Sequence, residues 1–139
     1  MIPNKLKKGD CVAVIAPSNH VADDDIKFLK QTENMFKKYG INVIYGKNIY
    51  SNKLGYGATP KEKADDLNEA FENKNVKAIF CAKGGENSNT IFEYINYELI
   101  KQNPKLFEYG FDVHCYSGSK EFAKELLKFG AYFSFTGNI

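Results

Sequence analysis

The sequence is poor in cysteine and histidine, and it contains no tryptophan. Its three cysteines, Cys11, Cys81 and Cys115, are far apart, and each lies inside or at the end of an apolar run. An odd number of cysteines without close spacing argues against a disulfide framework or a zinc knuckle. We therefore predict small buried thiols that pack as hydrophobic side chains.

Long apolar runs and a strong excess of either charge are also missing. No apolar run approaches the roughly 18 residues that a membrane-spanning helix needs, and the segment MIPNKLKKGD has no signal-peptide core. The 19 basic and 17 acidic side chains give a net charge of +2, which favours neither nucleic acid nor a membrane surface. We predict a cytoplasmic protein without nucleic-acid or membrane partners, whose lysines lie on a solvated surface.

Short apolar runs alternate with longer segments that have helical periodicity. The predicted strands are CVAVIAP (11–17), INVIYG (41–46), VKAIFCA (76–82), FDVHCY (111–116) and AYFSFTG (131–137). The predicted helices are DDDIKFLKQTENMFKKYG (23–40), PKEKADDLNEAFEN (60–73), TIFEYINYELIKQ (90–102, as one or two helices) and SKEFAKELLKFG (119–130). This alternation predicts a parallel sheet with right-handed crossovers.

Five strands are too few for a closed barrel, which needs eight. The sequence therefore predicts a single domain, residues 1–139, with a flavodoxin-like three-layer α/β sandwich. Its five-stranded parallel sheet has the order 2-1-3-4-5. The final helix of that fold is missing, so the uncovered face of strands four and five is expected to be solvent-exposed or buried by self-association.

A family resemblance is carried by three segments: KLKKGDCVAVIAPS, DDLNEAFENKNVKAIFCAKGGENSN and YINYELIKQNPKLF. Through them residues 1–108 resemble the N-terminal domain of the LD-carboxypeptidase and microcin-immunity family of serine peptidases. The resemblance implies a Ser-Glu-His triad, with the glutamate and histidine in a C-terminal domain that this chain is expected to lack. It also implies that the turn at Gly84 and Gly85 helps form the oxyanion pocket. An ungapped reading places Phe111 at the serine position, and a phenyl ring cannot act as a nucleophile.

The segment VHCYSGSKEFAKELLKFGAYFSFTG (113–137) carries a second resemblance. It is similar to a strand–helix–strand unit of the TatD-type metal-dependent deoxyribonucleases, which are TIM barrels. In that family the histidine corresponding to His114 is a metal ligand. His20 is the only other histidine, and a catalytic metal site generally needs three protein ligands. We therefore expect His114 to be a vestigial ligand, and we predict no metal site and no cofactor.

Together the two resemblances predict an engineered chimera, with residues 1–108 derived from the peptidase and residues 109–139 from the barrel. The predicted role is structural, with no catalytic residues. One alternative is a hydrolase fragment of the peptidase family with residual activity through another serine. The second is small-anion binding where the segment PSNH (17–20), the Gly84–Gly85 turn and the turn of Ser117, Gly118 and Ser119 meet at the strand ends.

Overall fold

Strands and helices alternate along the chain, as the periodicity predicts. The computed structural model describes residues 6–103, 111–113, 120–121, 124 and 131–133. The strands are β1 (Cys11–Ile15), β2 (Asn42–Tyr45), β3 (Val76–Cys81), β4 (Phe111–Val113) and β5 (Ala131–Phe133). The helices are α1 (Ile26–Lys38), α2 (Pro60–Glu72) and α3 (Tyr97–Gln102), with 3₁₀ turns at Asp23–Asp25 and Ser88–Tyr94.

Strand β1 is the centre of a three-stranded parallel sheet with the order β2-β1-β3. Cys11 pairs with Asn42 of β2 and with Val76 of β3, and the β1–β3 register shifts once, between Cys11 and Val12. Strands β4 and β5 pair with each other in parallel. Within the described residues they form a separate two-stranded sheet. The α/β fold with a small parallel sheet is therefore confirmed, whereas the five-stranded order is not.

The two faces of the three-stranded sheet are covered by different helices. Side chains of β1 alternate between them because successive residues of a strand point to opposite sides. Val14 packs in a cluster with Leu29 of α1, and Ala13 packs with Ala70 of α2. Val12, Ala13 and Val14 are all at most 4% exposed, as expected for a central strand buried on both faces.

Helix α2 begins where the sequence predicts, whereas α1 begins at Ile26, three residues after its predicted start, because Asp23–Asp25 form a 3₁₀ turn. Thr59 caps α2: its side chain accepts a hydrogen bond from the Glu62 N–H, and Pro60 occupies the first turn, where its missing N–H costs nothing. α1 ends at Lys38, and Gly40 follows with a φ of +70°, a conformation that glycine adopts readily.

Strand β3 is the exposed edge of this sheet. Phe80 is 41% exposed and Cys81 is also exposed, because only β1 pairs with β3 among the described strands. The prediction of a buried thiol is therefore wrong for Cys81. Cys11 is half-buried, and Cys115 lies outside the described residues. None of the helices that the structure describes is both long enough and apolar enough to pass through a bilayer.

Candidate functional site

The turns that follow β1 and β3 are joined by a hydrogen bond. The backbone N–H of Asn87 donates to the hydroxyl of Ser18 over 3.2 Å. Ser18 is only 3% exposed, so this bond is shielded from water. Parallel strands bring their carboxyl ends to one edge of a sheet, which is where ligands bind in open α/β folds. The structure therefore brings the Pro17–His20 segment and the Gly84–Gly85 turn together, as the sequence predicts.

Gly85 fits against the first of these turns only because it has no side chain. A Cβ at this position would overlap the Ser18 hydroxyl and would lie 2.6 Å from Oδ1 of Asn19. Its φ is +149°, in a region that side-chain-bearing residues rarely adopt. A Cβ on the neighbouring Gly84 would meet nothing within 4 Å. The close approach therefore requires glycine at 85, and nothing in the contacts requires it at 84.

The glycine turn presents backbone donors to solvent. Gly84 and Gly85 are both exposed. In the part of the chain that the structure describes, neither N–H is used in a hydrogen bond. Successive unpaired N–H groups at the end of a strand can bind an anion or a developing oxyanion. Beside them, Oδ1 of Asn19 is buried and accepts no hydrogen bond from a described residue.

The loop before α2 is anchored to the same strand end. The backbone N–H of His20 donates to the carbonyl oxygen of Tyr56 over 2.9 Å, and Nδ1 of the His20 ring lies 2.9 Å from the same oxygen. A carbonyl can only accept, so Nδ1 carries the proton in this contact. His20 therefore holds the loop through two contacts to one atom.

Lys63 is a buried lysine that the sequence interpretation missed. It lies on α2, is 1% exposed, and its Nζ donates no hydrogen bond to any described residue. The ammonium lies 4.8 Å from the centre of the Tyr56 ring. Such a contact contributes about 2 kcal/mol when desolvated, less than the several kcal/mol that burying a charge costs. Burial accordingly lowers the pKa of Lys63. The burial of Lys63 depends on the loop at Tyr56 and Gly57 that packs against it, so no local pattern in the sequence indicated it.

Asp66 fixes the start of the loop that follows β2. Its carboxylate accepts hydrogen bonds from the backbone N–H of Asn48 over 3.0 Å and from the Asn48 side-chain amide over 2.8 Å. Asp66 is 5% exposed, and burial raises the pKa of its carboxyl while the Asn48 hydrogen bonds lower it. A Cβ on Gly46 would lie 2.5 Å from Oδ2 of Asp66. The loop is therefore held against α2 by a buried polar contact.

Several predicted site residues lie outside the described residues. Ser117, Gly118 and Ser119 are among them, and so is His114. Phe111 is the first residue of β4. In the portion of the chain that the structure describes, no three His, Cys, Asp or Glu side chains are grouped as a metal site would require. The proposed anion turn and the vestigial ligand both stay predictions.

Comparison with known proteins identifies the family. The family model for the LD-carboxypeptidase N-terminal domain matches residues 12–111. A Bacillus subtilis protein named as a probable murein peptide carboxypeptidase is 38% identical over 106 residues, which are 76% of this chain and 32% of that protein. A Treponema pallidum protein provisionally named a carboxypeptidase is 38% identical over 101 residues, 73% of this chain and 30% of its own length. The chain thus spans about a third of the length of these relatives.

A solved structure supports the same relationship. The crystal structure of an MccF-like protein from Bacillus anthracis matches with a TM-score of 0.70 and 29% identity. The match covers 97% of this chain and 40% of that one.

The prediction of an engineered chimera without catalytic function is wrong. The family match continues to residue 111, past the supposed join near residue 108. The matched relatives carry the names of carboxypeptidases, so the prediction of a purely structural, non-enzyme role is also wrong. Phe111 is the last residue of the family match, and its place at the serine position stays a prediction. The chain belongs to the LD-carboxypeptidase family, whose N-terminal domain it matches.

Proposed function

We propose that the chain is the N-terminal part of a peptidase-family hydrolase and that its Gly84–Gly85 turn binds the oxyanion of the tetrahedral intermediate. The observation that carries this proposal is the pair of exposed glycines whose N–H groups make no hydrogen bond to the described residues, with Gly85 packed against Ser18 at the carboxyl end of the sheet. Donors fixed in advance stabilise developing charge because they need no reorganisation during the reaction. The family match supports the reaction class.

In this reaction a nucleophile adds to the carbonyl carbon of a peptide bond, and the carbonyl oxygen becomes negatively charged. Removing one oxyanion donor from an acyl-transfer enzyme costs about 3 kcal/mol of transition-state stabilisation. Phe111 has no group that can attack a carbonyl. We propose that another serine is the nucleophile and that the glutamate and histidine that activate it come from beyond the matched region.

The names of the relatives suggest the substrate class. The Bacillus subtilis relative is named for action on murein peptides. A relative from Escherichia coli, 30% identical over 80 residues, is the microcin C7 self-immunity protein MccF. We propose a short peptide or peptide-like amide as the substrate of this chain.

The experiment is an NMR titration of the chain with a murein tetrapeptide, followed at the Gly84 and Gly85 amides. We expect the peptide to shift both amide resonances, because their N–H groups donate to its carbonyl oxygen. Gly85→Ala should weaken this binding, since the new Cβ meets Ser18 and Asn19, whereas Gly84→Ala, which meets open space, should bind about as well as the original chain. A chain whose Gly84 and Gly85 amides do not respond to the peptide would overturn the proposal.

We also propose that residues 1–139 form one domain in which β4 and β5 extend the sheet beyond β3, giving the order 2-1-3-4-5. The exposed edge of β3 at Phe80 and Cys81 supports this arrangement, because an unpaired edge offers backbone groups to a further strand. The resemblance of residues 113–137 to a TatD-type segment stays a prediction. Because the Ala82 N–H bonds to Ile15 of β1, the Cys81 N–H one residue earlier faces the other side of β3. Slow hydrogen exchange at the Cys81 amide, and its loss when the chain is cut after Asn103, would support the extended sheet. Unchanged exchange after the cut would count against it.

A further inference from the structure

The ammonium of Lys63 is placed beside the segment that carries Ser18. A Cβ on Gly57 would lie 3.1 Å from Cε and 3.3 Å from Nζ of Lys63, and 2.9 Å from the backbone oxygen of Ser18. The end of the Lys63 side chain and the Ser18 carbonyl thus lie against the same glycine. Nζ makes no hydrogen bond to a described residue, so a positive charge there is felt by this neighbouring carbonyl as well as by the Tyr56 ring.

A continuous set of contacts leads from Lys63 to the glycine turn. Lys63 and the Ser18 carbonyl flank Gly57, the Ser18 hydroxyl accepts the Asn87 N–H, and Gly85 packs directly against that hydroxyl. At both glycines the neighbours come closer than a side chain would allow, since an added Cβ would lie within 3 Å of an atom of Ser18.

We infer that Lys63 is a positioning residue for the Gly84–Gly85 turn, which it acts on through Gly57 and Ser18. The inference rests on the proposed function in one respect only, namely that the turn binds the oxyanion. Lys63 does not contact the substrate. Its buried charge attracts the Ser18 carbonyl and so fixes the orientation in which the Ser18 hydroxyl supports Asn87 and Gly85.

The test is an NMR comparison of Lys63→Met with the original chain, without any peptide. Methionine keeps most of the length and shape of the side chain and removes the charge. We expect the amide resonances of Gly85 and Asn87 to shift. We also expect hydrogen-exchange protection of the Asn87 amide to fall roughly tenfold, as the loss of about one hydrogen bond would give. The matched control is Lys61→Met, since Lys61 lies on the same helix, is exposed and pairs with Asp65 over 2.7 Å.

A second variant covers the case in which Lys63→Met does not fold. Tyr56→Leu removes the ring below the ammonium but leaves the Tyr56 carbonyl that His20 contacts. It should shift the same two amides in the same direction by a smaller amount. Changes confined to α2 and the 54–57 loop, with Gly85 and Asn87 as unperturbed as in Lys61→Met, would overturn the inference. This readout is independent of hydrolysis, so failure of the proposed function and failure of the positioning role are separable.

Discussion

The backbone N–H of Asn87 and the hydroxyl of Ser18 form a 3.2 Å hydrogen bond that ties the turn after β3 to the turn after β1. The two residues are 69 positions apart in the sequence. Because Ser18 is almost fully buried, water cannot replace the hydroxyl at low cost if it is removed.

Ser18→Ala should therefore destabilise the fold. We expect a loss of about 1–2 kcal/mol in the free energy of unfolding, because the Asn87 N–H is left without its acceptor. Chemical denaturation of the variant and the original chain measures this difference. The control is Ser51→Ala, since the Ser51 hydroxyl makes no hydrogen bond to the described residues. Equal stability of the two variants would contradict the importance of the bond.

The two adjacent glycines should respond differently to substitution. Gly85→Ala should cost about 1–3 kcal/mol in the free energy of unfolding, since the new methyl group meets Ser18 and Asn19 and the backbone conformation becomes strained. Gly84→Ala should change it by less than about 0.5 kcal/mol. Thermal or urea unfolding of both variants provides the measurement. If Gly85→Ala were as stable as the original chain, the turn would be able to move away from Ser18.

Glu62 should make stability depend on acid pH. A hydrogen bond from Lys53, followed by those from Thr59, lowers the pKa of this carboxyl from 4.5 to about 2. The folded state therefore favours the carboxylate. Its stabilising effect is complete above the unfolded pKa near 4.5 and is lost as the pH falls toward 2. We expect Glu62→Gln to be less stable at neutral pH, with the difference from the original chain shrinking over this window.

Urea denaturation at a series of pH values from 7 to about 2 would measure this effect. Asp25 and Glu33 also have a lowered pKa, so the informative quantity is the difference between the two proteins. Glu72→Gln, at the exposed end of α2, is the control for removing a carboxylate from the same helix. A difference for Glu62→Gln that stays constant with pH would exclude the capping carboxylate as the source.

Asp66→Ala should loosen the loop after β2. Two donors of Asn48 lose their acceptor, and we expect a cost of about 2–4 kcal/mol in the free energy of unfolding. Asp65→Ala removes only an exposed pair with Lys61, so it should cost less than about 1 kcal/mol. Comparing both variants by denaturation separates the buried contact from the loss of charge. A similar cost for both would argue against a special role for Asp66.

Strands and helices that are determined by neighbouring residues could be predicted from the sequence. β1 is a continuous apolar run, and α2 carries Thr59, Pro60 and Glu62 in the order of a capped helix. Both signals are contained within a few neighbouring residues. The meeting of Pro17–His20 with Gly84–Gly85 also follows from strand alternation, because parallel strands end at one edge.

Lys63 and Cys81 show what could not be predicted in this way. A lysine is usually exposed and a cysteine in an apolar strand is usually buried. Here the Lys63 side chain is buried and the Cys81 side chain is exposed. Lys63 is buried because the loop at Tyr56 and Gly57 lies across α2, and Cys81 is exposed because β1 is the one described strand that pairs with β3. Both outcomes depend on partners distant in the sequence.

The central position of β1 has a mechanical consequence. Its five residues are bonded to neighbours on both sides, and the chain runs from Ile15 to Ser18 through only two residues. A force applied to residues 16–18 would act directly on β1. Because β1 separates from the sheet only when its hydrogen bonds to both β2 and β3 break, we expect residues 16–18 to stay in place until the three-stranded sheet unfolds.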